Sequence, residues 1–407
     1  MRKTVTIGDL GTIITGKTPP TTNKNYYGDY AVFIKPTDIS EQSKYTYETE
    51  EMYSKLAAEK YANSQIPKGA ICVPCIGTIG TKMTMAPCTC YTNQSINSIV
   101  CNVDYDNEYV YYLIKNFLPG LKAYNLGTAS GREYVSKSNF EKIELVAEQD
   151  KAVQKKIGEF LSRYDTLIEN YQKQIKLLEE AAQRLYKEWF VDLRFPGHEK
   201  TKIVDGVPEG WEKKKLGDIT CKFATGLNPR KNFVLGQGNN YYVTIKNMAN
   251  NDVIFDEKCD KVNDEALEKI NKRSDLQQGD LLFSGIGTIG RVYLIDKPVR
   301  NWNISESVFT MRPNPEIPST FLYLVLLDKE IQDYCQSNAH GCAQKGIRMA
   351  DLKAFDVLVP SNLVLDAFNI ISSNIIAQVK FKSSQIRLLT EARDRLLPKL
   401  MSGEIAV

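Results

Sequence analysis

Histidine is nearly missing from this sequence: there are two in 407 residues, His198 and His340. That leaves little room for a His-rich metal centre or a His-based catalytic triad. Long apolar runs are missing too. None reaches the roughly 20 residues of a membrane-spanning helix, and the opening segment Met1 to Ile13 has no apolar core of an export signal. A cytoplasmic location is the resulting expectation. An excess of one charge sign is also lacking: 52 Lys and Arg stand against 49 Asp and Glu, a net charge of +3. Any contact with nucleic acid must therefore rest on local clusters of cations, because phosphate affinity comes from clustered Lys and Arg. Finally, the motifs of catalysis are not there. There is no phosphate loop G-x-x-x-x-G-K-[ST], no G-x-G-x-x-G, no H-E-x-x-H and no G-x-S-x-G. The Asn/Asp-Pro-Pro-aromatic tetrapeptide of amino-methyltransferases is absent; Thr18-Pro19-Pro20-Thr21 has the prolines without either flank. The chain reads as a non-enzyme.

Nine cysteines are present. An odd number in a long chain without an export signal points to free thiols. Cys72-x-x-Cys75 and Cys88-x-Cys90 offer four thiols to a tetrahedral zinc ion. Their counterparts one repeat later are Leu282, Gly285, Pro298 and Arg300, so the same fold forms without thiols. Buried structural cysteines are expected, and no metal.

That repeat is the organising feature. Ile7-Gly8-Asp9 recurs as Leu216-Gly217-Asp218, Ile76-Gly77-Thr78-Ile79-Gly80 recurs identically from Ile286 to Gly290, and Ile175-Lys176-Leu177-Leu178-Glu179 recurs as Ile386-Arg387-Leu388-Leu389-Thr390. The offsets are 209, 210 and 211. A near-constant offset over distant anchors means one large unit used twice. Each unit starts with a turn-rich part. Ala70 to Val73 and Asp280 to Phe283 read as buried strands led by Gly turns, and Glu50 to Tyr61 and Thr320 to Cys335 as helical patches. Each unit then closes with a long helix. From Val153 to Trp189 there is no Pro and one Gly, and Ile157, Phe160, Tyr164, Leu167, Tyr171, Leu178 and Leu185 fall on a heptad seam, with Gln174 and Ala181 at the remaining positions. Such a helix is about 55 Å long. The second seam, Phe368, Ile371, Ile375, Ile386, Leu389, Leu396 and Leu400, is interrupted by Gln378, Lys382 and Arg393.

The fold class expected is α+β: two similar mixed α/β domains, each followed by a long helix, the helices pairing as a coiled coil. The boundaries expected are 1–148 and 211–362 for the domains, 149–190 and 363–404 for the helices, and 191–210 for a Pro- and Gly-bearing linker and hinge candidate.

Base reading needs paired donors and acceptors: Arg or Lys for guanine, Asn or Gln for adenine. Polar, turn-rich segments supply candidates in both halves. In the first these are Lys17, Thr18, Lys35, Thr37, Thr78, Asn93, Gln94, Ser130 and Arg132. In the second they are Lys246, Asn247, Thr288, Asn303, Gln344 and Lys345. The Gly-Thr-Ile-Gly segments are either tight turns only or turns whose amides meet a phosphate. The helix positions expected to serve the spacer or a partner are Ile157, Tyr164, Tyr171, Leu178, Leu185, Ile375, Ile386, Leu389 and Leu396.

Taken together, the opening Gly-Asp, the duplicated Ile-Gly-Thr-Ile-Gly, the run from Trp189-Phe190-Val191-Asp192 to Pro208-Glu209-Gly210-Trp211-Glu212, the helix ends and Met401-Ser402-Gly403-Glu404-Ile405 resemble a specificity subunit of type I restriction–modification enzymes over essentially the whole chain. The resemblance implies two target-recognition domains, each reading one half of a bipartite, asymmetric double-stranded DNA target. It implies that the helices pair as an antiparallel coiled coil, set the spacing and dock DNA-methyltransferase (modification) subunits, with restriction and translocase subunits completing the complex. S-adenosylmethionine, ATP and Mg would belong to those partners, with no cofactor on this chain. The other reading from composition is a helical scaffold whose globular domains bind protein. One departure stands out: the last strand of the second half ends Val357-Leu358-Val359-Pro360, that of the first Leu145-Val146-Ala147-Glu148 without Pro.

Overall fold

A computed structural model describes the chain except for residues 1, 78, 128–132, 250–251 and 342–343. It consists of two units: residues 1–170 with 386–407, and residues 171–385. The duplication read from the sequence is explicit in their topology. In the first unit an antiparallel sheet runs in the order Gly11–Thr15, Ile96–Cys101, Ile71–Pro74, Thr84–Met85; in the second the order is Thr220–Thr225, Val308–Pro313, Leu281–Ser284, Val292–Leu294. Each unit adds a parallel strand pair, Phe33 beside Tyr91 and Tyr241 beside Trp302. Each also has an antiparallel pair between its opening and closing strands: Arg2–Thr6 with Glu144–Glu148, and Glu212–Lys215 with Asp356–Val359. These pairings bring the start of each repeat to the foot of its long helix.

The helical patches are shorter than their sequence spans. Lys55–Lys60 is the helix within 50–61. The stretch expected from Thr320 to Cys335 is two helices, Ser319–Leu327 and Lys329–Ser337, divided at Asp328, whose carboxylate accepts from the Glu330 amide and caps the second. The counterpart of Ser319–Leu327 in the first unit is Asn107–Phe117, capped by Asp106.

The long helices span Lys151–Tyr186 and Asn362–Ser402. Both are divided between the units, and within each unit the segments run antiparallel. In the first, Asp165 meets Arg393. In the second, Tyr171 lies beside Lys382 and Trp189 packs on Phe368. The phase of the seam differs from the heptad assigned to the first helix. Leu161, Asp165, Ile168 and Ala182 are buried, while Leu167 is 45% exposed and Gln174 and Ala181 face outward. The buried stripe lies one residue further along, so Tyr164, Tyr171, Leu178 and Leu185 are only half-buried; Ile157 alone among the chosen positions of this helix is fully covered. Both phases carry apolar side chains, and docking on the domains selects between them. In the second helix Phe368 and Leu400 are buried as expected, Ile371 is exposed, and Ile375, Ile386, Leu389 and Leu396 are half-buried. Arg393, which interrupts the apolar seam in the sequence, is itself buried.

The linker is docked on the second unit. The first long helix leaves through a π-turn, Lys187–Val191, which turns Trp189 and Phe190 into the core of that unit. Phe195 follows, its ring 4.6 Å from that of Trp211. Burying such rings stabilises by about 1.5–3 kcal/mol each.

Candidate nucleic-acid interface

In each unit the loops at one end of the four-stranded sheet are tied together through backbone hydrogen bonds. In the first unit the Gly16 amide donates to Ile96 O (3.1 Å), Lys17 to Thr92 O (2.9 Å), Cys75 to Ser95 O (2.7 Å), Gly77 to Glu133 O (2.9 Å) and Val135 to Cys75 O (2.9 Å). The second repeats this plan: Gly226 to Ser305 O (3.3 Å), Gly285 to Ser307 O (2.9 Å), Gly287 to Lys345 O (2.8 Å) and Ile347 to Gly285 O (2.9 Å). Four chain segments thus form one polar rim on each unit.

The rim of the first unit joins Lys17 and Thr18 to Asn93 and Gln94, with the Gln94 amide donating to Thr18 Oγ1. Lys17 and Gln94 are exposed; Thr18 and Asn93 are half-buried, and Asn93 Oδ1 accepts from the Ser95 amide. Thr37 is exposed. Lys35 is engaged: its Nζ lies 2.7 Å from Glu50 and 3.3 Å from Glu51. Partial burial pushes its pKa down, but the two carboxylates outweigh that and hold it above the usual lysine value. Thr78, Ser130 and Arg132 lie outside the described residues.

The rim of the second unit joins Thr288 to Gln344 and Lys345, all exposed. Exposed Lys246 is brought alongside by Arg291, whose guanidinium donates to Ile245 O and Met248 O. Two candidates do not belong to it. Asn303 is fully buried in the strand Trp302–Ile304; its amide donates to Asn271 Oδ1 (2.6 Å) and its carbonyl accepts from Ser274 Oγ (2.7 Å). Asn247 is buried too, its Oδ1 accepting from the amide and hydroxyl of Thr244. Both side chains are buried and engaged within the fold. Sequence reasoning passed over Arg230 and Lys231, exposed on the short helix Pro229–Asn232 just after the Gly226 turn. Their signal was a pair of cations just beyond Gly226, which stands one repeat after Gly16.

The Gly-Thr-Ile-Gly segments are tight turns. Gly77 and Gly287 have φ of +88° and +86°, a conformation that strains any residue with a Cβ. Their amides are used within the protein: Gly77 and Gly287 as above, Ile79 toward Gly77 O and the Glu133 carboxylate, Gly290 to Ser284 O. The amides of Gly77, Ile79, Gly287 and Gly290 are thus turned to protein acceptors, as a tight turn requires.

Cys72, Cys75 and Cys90 are buried and Cys88 is exposed. Burial pushes the thiols of Cys72 and Cys75 up to about 12. Among the described residues no group of three or more His, Cys, Asp and Glu is placed to hold a metal ion, and no helix is long and apolar enough to cross a membrane.

Comparison with known proteins decides what the repeated rims belong to. The family described as "Type I restriction modification DNA specificity domain" matches residues 2–180 and 208–362. The chain belongs to this family. Among its relatives, the type I restriction enzyme MjaIX specificity subunit of Methanocaldococcus jannaschii is 27% identical over 98% of this chain and 93% of that protein. The HindI specificity subunit of Haemophilus influenzae is 38% identical over 34% of this chain and 30% of its own length. Among solved structures, the S subunit of a type I restriction–modification system from M. genitalium covers 98% of this chain and 96% of its own at a TM-score of 0.60, with 18% identity. The chain is a DNA-specificity subunit with two target-recognition domains and is not itself an enzyme.

Proposed function

We propose that each rim reads one half of a bipartite, asymmetric DNA target. The observation that carries this is the repetition of the loop rim with changed side chains. Lys17, Thr18, Asn93 and Gln94 stand on one rim; Thr288, Gln344, Lys345 and Lys246 stand on the other. Equal frameworks with unequal polar groups suit two different half-sites. Thr37 and Lys35 flank the first rim, Lys35 by holding its loop. Lys17, Lys345, Arg230 and Lys231 supply the cations for phosphates.

Modification subunits dock on the long helices in this reading. Half-buried Tyr164, Tyr171, Leu178, Ile375, Ile386 and Leu389, and exposed Leu167, Ile370, Phe381 and Leu388, leave apolar surface outside the seam. S-adenosylmethionine, ATP and Mg reside on partner subunits, and the assembly works in the cytoplasm. Exchanging residues 1–148 for the corresponding domain of a relative tests the reading: one half of the methylated motif changes and the other stays. A change in both halves, or in neither, contradicts it.

A further inference from the structure

The two units are built alike, yet one buried locus differs completely. In the first unit the end of the second long helix sits on the first recognition domain. Leu397, Leu400 and Met401 enter the core there, and Arg2 donates to Leu400 O (3.0 Å) and Ser402 O (2.8 Å). In the second unit the end of the first long helix does the same on the second domain, through Ala182, Trp189 and Phe190. Each domain therefore offers a socket for the end of the other repeat's helix.

The first socket is charged. Arg393 meets Asp165, each with 5% of its side chain exposed, and Tyr112 donates to the same carboxylate. Asp394 holds the far side of the guanidinium at 2.8 Å, and Lys115 stands close by on the helix of Tyr112. Aligning the repeats on Ile175/Ile386 and on the helix caps Asp106/Pro318 gives the equivalents in the second unit. Tyr112 becomes Leu324, Lys115 becomes Leu327, Asp165 becomes Ile376 and Arg393 becomes Ala182. All four line one cavity of about 200 Å³. Where one socket holds a buried ion pair, the equivalent positions of the other are apolar and one is small, while Glu179, Gln183 and Lys380 line the same cavity from positions outside that set of four.

We propose that Asp165 and Arg393, with Tyr112, form a selectivity key: the first recognition domain admits the end of the second long helix and rejects the first long helix of another copy of this chain. Seating the first helix there would set Ala182 against Asp165. The carboxylate would be buried without its counter-charge, lowering the pairing constant about a hundredfold. The wrong helix is the one at hand first. Residues 191–402 are still to be made when the first helix is complete, a delay on the order of tens of seconds at ribosomal rates. During it, two nascent chains each present an empty first socket and an unseated first helix. Pairing between them would join two identical readers. A buried polar pair fixing partner and register is an attested use of such groups.

The test uses two full-length copies with different affinity tags, co-expressed, captured through one tag and scored for the other. Wild type gives background cross-capture. D165I/R393A, which gives the first socket the chemistry of the second, raises cross-capture several-fold. D165R/R393D keeps a buried pair and stays at background. A182R, which lends the first helix the missing cation, raises it as well. Because A182R leaves the first socket untouched, it decides the matter if D165I/R393A fails to fold. The proposal is overturned if folded D165I/R393A stays at background, if D165R/R393D rises as far as D165I/R393A, or if A182R does not raise cross-capture.

Discussion

Lys380 on the second long helix gives a pH dependence that can be worked out beforehand. Its ammonium lies 3.6 Å from the centroid of the Tyr293 ring, in a site also lined by Glu179, Tyr323 and Val379. Burial lowers its pKa from 10.5 to about 8; Asp296 and Asp252 oppose the drop and Lys297 adds to it. At pH 7 the lysine is charged both folded and unfolded, so the full cost of burying the charge is present. Between about pH 8 and 10.5 the folded protein has released the proton and the unfolded chain still holds it. The unfolded state binds more protons, so stability rises with pH across that window. At 1.36 kcal/mol per unit, the gain is at most ~3 kcal/mol. The Tyr293 hydroxyl is pushed well above its usual range, burial first and Asp296 next, so it does not titrate in that window. Urea denaturation of wild type and Lys380→Met at pH 7, 8, 9 and 10 reads this out. The difference in unfolding free energy, wild type minus variant, should climb by 2–3 kcal/mol between pH 7 and 10. A constant difference would refute the buried-charge argument. Other titrating groups cancel, because both proteins share them.

Other outcomes follow from single contacts. Gly158 lets the first long helix approach the helix Asn107–Phe117: a Cβ there would stand 2.7 Å from Glu108 Cβ and 2.9 Å from the Tyr109 amide. Gly158→Ala should therefore destabilise by about 1–3 kcal/mol despite alanine's better helix propensity; an increase in melting temperature would contradict the packing. Asn303→Ala strands Asn271 and Ser274 and should cost about 1–3 kcal/mol with the methylated motif unchanged; an altered motif would restore Asn303 to the reading surface. Replacing Lys17 or Lys345 by Ala should weaken DNA binding by the complex and flatten its log–log salt slope by about 0.9 per lost phosphate contact. An unchanged slope would show that these lysines face solvent in the complex.

How much of this was legible in the sequence depends on what kind of constraint acted. The duplication was fully legible, because repeated topology preserves glycines at positive φ: Gly77 and Gly287 mark the same turn in both halves. The long helices were legible from their length. Their seam was not, because Phe160, Tyr164, Leu167 and Tyr171 form a second apolar stripe beside Leu161 and Ile168, and only contact with the domains tells which one is covered. Arg393 looked like a defect of the seam for the same reason: its partner Asp165 is 228 residues away. Asn303 was misread because Trp-Asn-Ile-Ser has the composition of a loop, whereas the parallel pairing with Tyr241–Val243 makes it a buried strand. Helix breaks were visible only to capping chemistry, as at Asp328.

The central claim, that this chain chooses the DNA sequence its partners modify, is tested most directly by mapping methylated bases in a host that expresses it with a cognate modification subunit. The account predicts a bipartite, asymmetric motif that disappears when this chain is deleted and returns when it is restored. An unchanged methylome on deletion, with the modification subunit still present, would contradict it.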